Sequence, residues 1–139
     1  MRVMVIVKAT PQSEAGVLPT TEMLAAMGRF NQELVDAGIM KAAEGLHASA
    51  KGKRVRFQGK ERVVLDGPFA ETRELIAGFW IWKVGSMEEA VELVKRAPFG
   101  HDGEVEIRRV FESEDFGDIA TPEMRERKRR QREALGEQV

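Results

Sequence analysis

Residues 66–84 read DGPFAETRELIAGFWIWKV, a charged turn followed at once by an apolar run. Asp66 and Gly67 suit a tight turn, and Pro68 fixes its own φ while it restricts the residue before it to extended geometry. Leu75 to Val84 has strand length and is apolar on both faces, which predicts a buried strand. Two carboxylates and an arginine between turn and strand are more than a connecting turn needs, so this segment is the first candidate for a functional site.

The runs on either side of this segment are typical of strands. Upstream, apolar and charged residues alternate around Gln58-Gly59-Lys60, which predicts a hairpin with an exposed basic side. Further out, Arg2 to Lys8 predicts a buried strand, Ile39 to Ala48 a weaker one, and Val105 to Phe111 a last strand with alternating sides.

Two helices separate these strands. Thr20 or Thr21 can cap a helix whose apolar residues recur at helical spacing as far as Gly38. Ser86 to Glu89 fits a capping box that opens a second helix, which Pro98 ends. The order is β-α-β, an inserted hairpin, then β-α-β, which predicts an α+β fold of the ferredoxin-like split βαβ type.

A sheet of this type has one face that its own helices leave uncovered. The first and third core strands lie in its centre, and here both are apolar on both sides. The uncovered face would therefore expose Met4 and Ile6 together with Trp80 and Trp82 or their alternates. A second copy of the chain would cover this patch, so we predict a homodimer with the sheets packed face to face.

Composition limits the chemistry and the setting that we expect. The chain has 139 residues and a formal net charge of −1, with 42% hydrophobic and 32% charged residues, which is typical of a globular domain. It has no cysteine, which excludes disulfides, thiolate nucleophiles and cysteine-ligated zinc. The N-terminus lacks the features of a cleavable signal, and no apolar run approaches the roughly 20 residues of a membrane helix. We therefore expect a cytoplasmic protein with no membrane segment.

The C-terminal part differs in character from the rest. We divide the chain into a domain over residues 1–113 and a charged tail over residues 114–139. Thr121-Pro122-Glu123 predicts the start of a helix that carries six basic residues in the tail. A helix that is polar all round has little to bury, so this one is either solvated or docked on an acidic surface.

The two histidines, His47 and His101, are the candidates for proton transfer near neutral pH. His101 lies among turn residues, which indicates a solvated loop. His47 ends the second strand, and the hairpin returns toward it at Asp66, so we predict that these two side chains meet. Asp66 would then orient the imidazole as a general acid or base. The alternatives are a turn carboxylate that accepts backbone hydrogen bonds and a half-buried histidine on an edge strand.

Four further residues are candidates for substrate binding. They are Glu71, Arg73 and Glu74 after the turn, and Trp82 on the strand that follows. We predict a pocket between the sheet and its helices that is lined by His47 and Asp66, with Glu71, Glu74 and Trp82. The three charged residues are otherwise solvated turn residues, and Trp82 is otherwise a core or dimer-interface residue. No spacing indicates a metal site and no glycine-rich loop matches a nucleotide or flavin fingerprint, so we predict neither metal nor cofactor.

The segment 66–76, followed by Gly78-Phe79-Trp80, resembles the signature of the DGPF branch of the YCII-related domain family. The runs Glu44 to His47 and Lys51 to Phe57 resemble what precedes that signature, and the resemblance extends from about Met1 to Phe111. It implies a dimeric α+β barrel whose active site pairs a histidine with the aspartate of the turn, here Asp66. The better-known branch carries that histidine on the first helix, which has none here, and His47 is the substitute that we propose.

Two functions from different classes follow. One is a cofactor-independent isomerase, lyase or hydrolase that uses His47 and Asp66 for proton transfer on a small polar organic molecule. Related folds in the superfamily resemble muconolactone isomerases and dehydrochlorinases. The other is a non-catalytic ligand-sensing or regulatory module, for which the resemblance implies a link to extracytoplasmic-function sigma factors. Binding of RNA through Ala77 to Trp82 and the basic hairpin is disfavoured, because the first strand has no aromatic residue and the net charge is −1.

Overall fold

The computed structural model describes residues 1–137, which fall into two compact units. The first unit is Met1–Arg109 and the second begins at Val110. The domain boundary that we place after residue 113 stays a prediction. No helix among residues 1–137 is both long enough and apolar enough to cross a membrane.

The secondary structure follows the predicted order. The strands are β1 (Arg2–Lys8), β2 (Met40–Gly45), β3 (Lys53–Gln58), β4 (Glu61–Asp66), β5 (Ile76–Lys83) and β6 (Val105–Arg109). The α-helices are α1 (Pro11–Glu14), α2 (Thr21–Asp36), α3 (Met87–Lys95) and, in the second unit, α4 (Pro122–Ala134). With the β3–β4 hairpin inserted between β2 and β5, this order confirms the ferredoxin-like α+β fold.

The core strands form a four-stranded sheet in the order β2-β5-β1-β6, and every pair of neighbours is antiparallel. β1 and β5 are therefore the central strands, as their apolar composition predicted. β3 and β4 form a separate two-stranded sheet.

The helix starts follow the predicted capping residues, with one correction. The Thr20 hydroxyl accepts from the Met23 N–H at 3.2 Å, and the Ser86 hydroxyl accepts from the Glu89 N–H at 3.1 Å. The Glu89 carboxylate does not complete the predicted box at Ser86, because it accepts from the N–H of Gly85 at 2.8 Å instead.

Aromatic side chains fill the space between the sheet and its helices. Val3 lies opposite Trp82 and Val5 opposite Trp80, and all four pack with Phe30 of α2 in the buried core. The Phe30 ring lies 6.1 Å from the Trp80 ring and 6.3 Å from the Trp82 ring, centroid to centroid. The tryptophans thus belong to the face that the helices cover.

The other face of the sheet carries the alternating partners of these residues. Successive side chains of a strand point to opposite faces, so this face holds Met4, Ile6, Phe79 and Ile81. One row across this face has a carboxylate at each end. Glu44 of β2 lies opposite Phe79, Phe79 lies opposite Ile6, and Ile6 lies opposite Glu106 of β6. The apolar patch of the sequence analysis therefore contains the alternates of the tryptophans. The homodimer itself stays a prediction.

In the second unit, helix α4 carries ion pairs between its own side chains. The Thr121 hydroxyl caps its start, and Phe111 stacks on Phe116 with ring centroids 5.0 Å apart before the helix begins. On the helix, the Glu126 carboxylate accepts from the guanidinium groups of Arg129 at 2.5 Å and Arg130 at 3.2 Å. Such pairs at spacings of three and four support a helix that has little apolar surface.

The helicity of α4 is expected to decrease in acid. Hydrogen bonds from Arg129 lower the pKa of Glu126 from 4.5 to about 2. A lowered pKa in the folded state means that the stabilisation is complete above pH 4.5 and is lost as the pH falls toward about 2. The Cα chemical shifts of residues 122–134 should move toward coil values across this window. Glu126→Gln should remove most of that change, and an unaltered titration in the variant would contradict the assignment.

Candidate functional site

The candidate residues gather at one end of the four-stranded sheet. β5 runs antiparallel to β1 and β2, and β6 runs antiparallel to β1, so β1 and β2 end where β5 and β6 begin. His47 follows β2 at this end, and the segment from Asp66 to Glu74 leads into β5 there. We call this the motif end of the sheet.

The turn at Asp66 packs closely on the segment that precedes the hairpin. The peptide between Gly67 and Pro68 is cis, and the Gly67 N–H donates to the Gly52 carbonyl at 3.0 Å. A Cβ on residue 67 would lie 1.7 Å from the carbonyl oxygen of Ser49, which only glycine avoids. Glu71 has a φ of 66°, in the left-handed region.

A hydrogen-bonded clamp, formed by Glu14, Ser49 and Phe69, holds this turn in place. The Glu14 carboxylate accepts from the Ser49 N–H at 3.0 Å and from its hydroxyl at 2.5 Å. The Ser49 hydroxyl in turn accepts from the Phe69 N–H at 3.0 Å. The clamp joins α1, the short helix Ser49–Lys51 and the turn. No local sequence pattern predicts this clamp, since its three residues are 20 and 35 positions apart along the chain.

Asp66 forms an ion pair across the hairpin. Its carboxylate accepts from the ammonium group of Lys53, the residue directly opposite it in the β3–β4 register. Both side chains are mostly exposed, at 76% for Asp66 and 67% for Lys53. His47 is exposed and makes no side-chain hydrogen bond within residues 1–137, so its pairing with Asp66 stays a prediction.

The remaining predicted site residues are divided between two regions. Glu71 and Glu74 are exposed at the motif end. The Arg73 side chain lies outside the described part of the structure. Trp82 is fully buried in the core, six positions along β5 from Ile76 and thus about 20 Å from the motif end. The structure therefore does not bring Trp82 together with His47 and Asp66, which corrects its predicted place in a common pocket.

A cleft of about 410 Å³ opens at the motif end. Its lining consists of Lys8, Glu74, Glu104, Val105 and Glu106. The Lys8 ammonium group lies 3.3 Å from the Glu106 carboxylate, and only 13% of the Lys8 side chain is exposed. Because Glu106 lies opposite Ile6, this carboxylate is on the face away from the helices, whereas we predicted a pocket between sheet and helices. Of the lining residues, only Glu74 was predicted from the sequence as a site residue.

Two arginines of the hairpin each lie over an aromatic ring. The Arg54 guanidinium lies 4.0 Å from the centre of the Phe69 ring, and that of Arg62 lies 4.4 Å from the Phe57 ring. Within residues 1–137, no group of three or more histidines and carboxylates is placed to hold a metal ion.

The chain is similar to proteins of one known domain family. The model of the YCII-related domain matches residues 1–114. An uncharacterized protein of Rhizobium meliloti is 31% identical over 69 residues, which span 50% of this chain and 56% of the relative. A solved structure of the 5-chloro-2-hydroxyhydroquinone dehydrochlorinase of Burkholderia phenoliruptrix, in complex with 2,5-dihydroxybenzoquinone, is similar with a TM-score of 0.48 and 13% identity. That similarity covers 83% of this chain and 98% of the dehydrochlorinase chain.

Proposed function

The chain belongs to the YCII-related domain family, and from that premise we propose that the motif end binds a small polar organic molecule and transfers a proton on it. The observation that carries the proposal is the convergence of ionisable groups there. His47 and Asp66 are exposed at the motif end, and the cleft holds the nearly buried Lys8 beside Glu106. A base, an orienting carboxylate and a fixed cation are what proton transfer on an anionic molecule needs.

Each of these groups has a distinct role in the proposal. His47 exchanges the proton with the bound molecule. Asp66 orients the imidazole, which its ion pair with Lys53 permits, because a carboxylate has about four lone-pair sites and can accept from both groups. Lys8 attracts an anionic substituent while Glu106 limits the motion of its ammonium group. The reaction class is isomerisation, elimination or hydrolysis by acid–base catalysis.

Turnover of small enolisable carboxylic acids tests this function. We expect His47→Ala and Asp66→Asn each to lower the rate about 100-fold, the usual effect of losing a general acid or base. The matched controls are His101→Ala and Asp36→Asn, which change the other histidine and a carboxylate at the far end of α2. Equal losses in site and control variants would contradict the proposed roles.

The second candidate function is a ligand-sensing module without turnover. The exposed His47 favours it, because its side chain makes no hydrogen bond with Asp66 or with another group within residues 1–137. In this second function, a sigma factor would be the partner that responds to the bound ligand. Amide shifts of Ala48 to Ala70 that respond to an added acid, with no product formed on long incubation, would support sensing over catalysis.

A homodimer is part of either function. Three half-buried apolar side chains on the face away from the helices, Met4, Phe79 and Ile81, support it, because a second sheet would remove their remaining exposed surface from water. Sedimentation at several concentrations should give twice the protomer mass of 15.6 kDa.

A further inference from the structure

Strand β3 carries an alternation that its own fold uses only in part, since Arg54 lies over the Phe69 ring and Arg62 lies over the Phe57 ring. Arg54, Val55, Arg56 and Phe57 place cations on one side of the hairpin and apolar groups on the other. Val55 is 53% exposed and Phe57 is 72% exposed. Arg56 has no ion-pair partner within residues 1–137. A two-stranded sheet is marginal by itself, so an exposed apolar side of this kind indicates that another strand or surface covers it.

Strand β6 carries the complementary alternation on an edge of the four-stranded sheet. The run Glu104-Val105-Glu106-Ile107 alternates carboxylates with apolar residues. Val105 and Ile107 pack against the core, and the two glutamates line the cleft. In the described part of the chain, no strand pairs with the outer side of β6. An edge of this kind can accept a further strand.

We propose that β3 of one copy pairs with the outer edge of β6 in a second copy. In both strands charged and apolar residues alternate with a period of two. A single register therefore places apolar residues together on one face and opposite charges together on the other. When Val55 lies opposite Val105, Arg54 and Arg56 lie opposite Glu104 and Glu106 whether the strands run parallel or antiparallel. In the parallel arrangement Phe57 also lies opposite Ile107.

The topology favours a second copy over the same chain. The hairpin is inserted after β2, and β2 and β6 are opposite edges of the sheet, about 14 Å apart at the usual strand spacing. Exchange of hairpins between two copies makes two equal junctions and closes a twofold dimer. Charge complements this exchange. Residues 51–62 hold six basic groups and one acidic group, whereas the rest of Met1–Arg109 holds ten basic and fourteen acidic groups.

The junction would complete the cleft with residues from the second copy. Two arginines would face the carboxylates of Glu104 and Glu106, beside Lys8 and Glu74. A cleft with three carboxylates and one ammonium group has a formal charge of −2, and the two added cations would bring it to zero, so it would no longer repel an anionic molecule. The junction itself does not depend on any reaction in the cleft.

Exchanging the charges between the strands tests the junction. One variant carries Arg54→Glu and Arg56→Glu, and the other carries Glu104→Arg and Glu106→Arg. Each alone opposes like charges at both junctions, so we expect its dimer to dissociate at a concentration at least tenfold higher than that of the unmodified chain. In an equimolar mixture both junctions are complementary again, and a heterodimer should form. If each variant alone dissociated at the same concentration as the unmodified chain, or if the mixture formed no heterodimer, the proposal would be overturned.

Cross-linking gives a readout that does not depend on charge. The chain has no cysteine, so Val55→Cys and Val105→Cys can each be introduced alone and then mixed and oxidised. We expect a cross-linked dimer in this mixture. In the control mixture, Val64→Cys replaces Val55→Cys and is oxidised together with Val105→Cys. Val64 lies opposite Val55 on β4, the other strand of the hairpin. Cross-linking no stronger than in the control would contradict pairing through β3, as would binding of duplex DNA or of an acidic peptide in place of the second copy.

Discussion

Trp82→Ala is expected to lower the free energy of unfolding by about 4 kcal/mol, which is typical of truncating a large buried aromatic residue. The Trp82 side chain is fully buried, with its ring 5.5 Å from that of Trp80 and 6.3 Å from that of Phe30. Removing it leaves a cavity between the sheet and α2. Urea unfolding followed by circular dichroism measures the loss without relying on the tryptophan signal.

Phenylalanine substitutions at the two tryptophans provide the matched control. The indole N–H of Trp80 donates to the Asn31 side chain at 2.9 Å, whereas that of Trp82 has no partner within residues 1–137. Trp80→Phe therefore loses a hydrogen bond, whereas Trp82→Phe loses none. We expect this lost bond to lower the free energy of unfolding of Trp80→Phe by about 1 kcal/mol. If Trp82→Ala left stability unchanged but abolished ligand binding, the residue would belong to a binding site and not to the core.

The arrangement of the sheet could be predicted where composition alone decides it. Strands that are apolar on both sides occupy the centre, and this placed β1 and β5 correctly. The same property hides which face the helices cover, because Val3 and Met4 are equally apolar and no period of two distinguishes them. The choice depends on Phe30 and Leu34 of α2, which pack against the tryptophans. Such a contact is tertiary, and no local pattern contains it.

The candidate site was predicted less completely than the fold, for reasons that differ between its parts. The Lys53–Asp66 pair could have been found, because the two-residue turn Gly59-Lys60 sets the hairpin register and counting back from it places these residues opposite each other. The Ser49–Glu14 clamp and the Lys8 cleft join segments that are distant in sequence. They meet at the motif end only in the folded chain, where β6 pairs with β1 and Ser49 donates to Glu14 of α1.

Gly67→Ala is expected to lower the free energy of unfolding by about 3 kcal/mol, the upper range for forcing extra atoms into a packed site. The new Cβ would lie 1.7 Å from the Ser49 carbonyl oxygen and 2.6 Å from its carbonyl carbon. These are backbone atoms, and Ser49 is held by Glu14, so neither side can move without breaking the clamp. The amide of Phe69 should lose its protection from hydrogen exchange together with the global stability.

Two other glycines calibrate this expectation, because they differ in the space that a Cβ would meet. At Gly78 the Cβ would lie 2.8 Å from the Glu44 carbonyl oxygen, so Gly78→Ala should cost less than Gly67→Ala. At Gly28, exposed within α2, nothing lies within 4 Å, and Gly28→Ala should raise stability by about 1 kcal/mol through helix propensity. The order of the three effects is the test. Since the contact with Ser49 explains the glycine of the motif without reference to a ligand, a Gly67→Ala protein of normal stability would mean that the turn is free to move, and the role of this glycine would then have to be sought in binding.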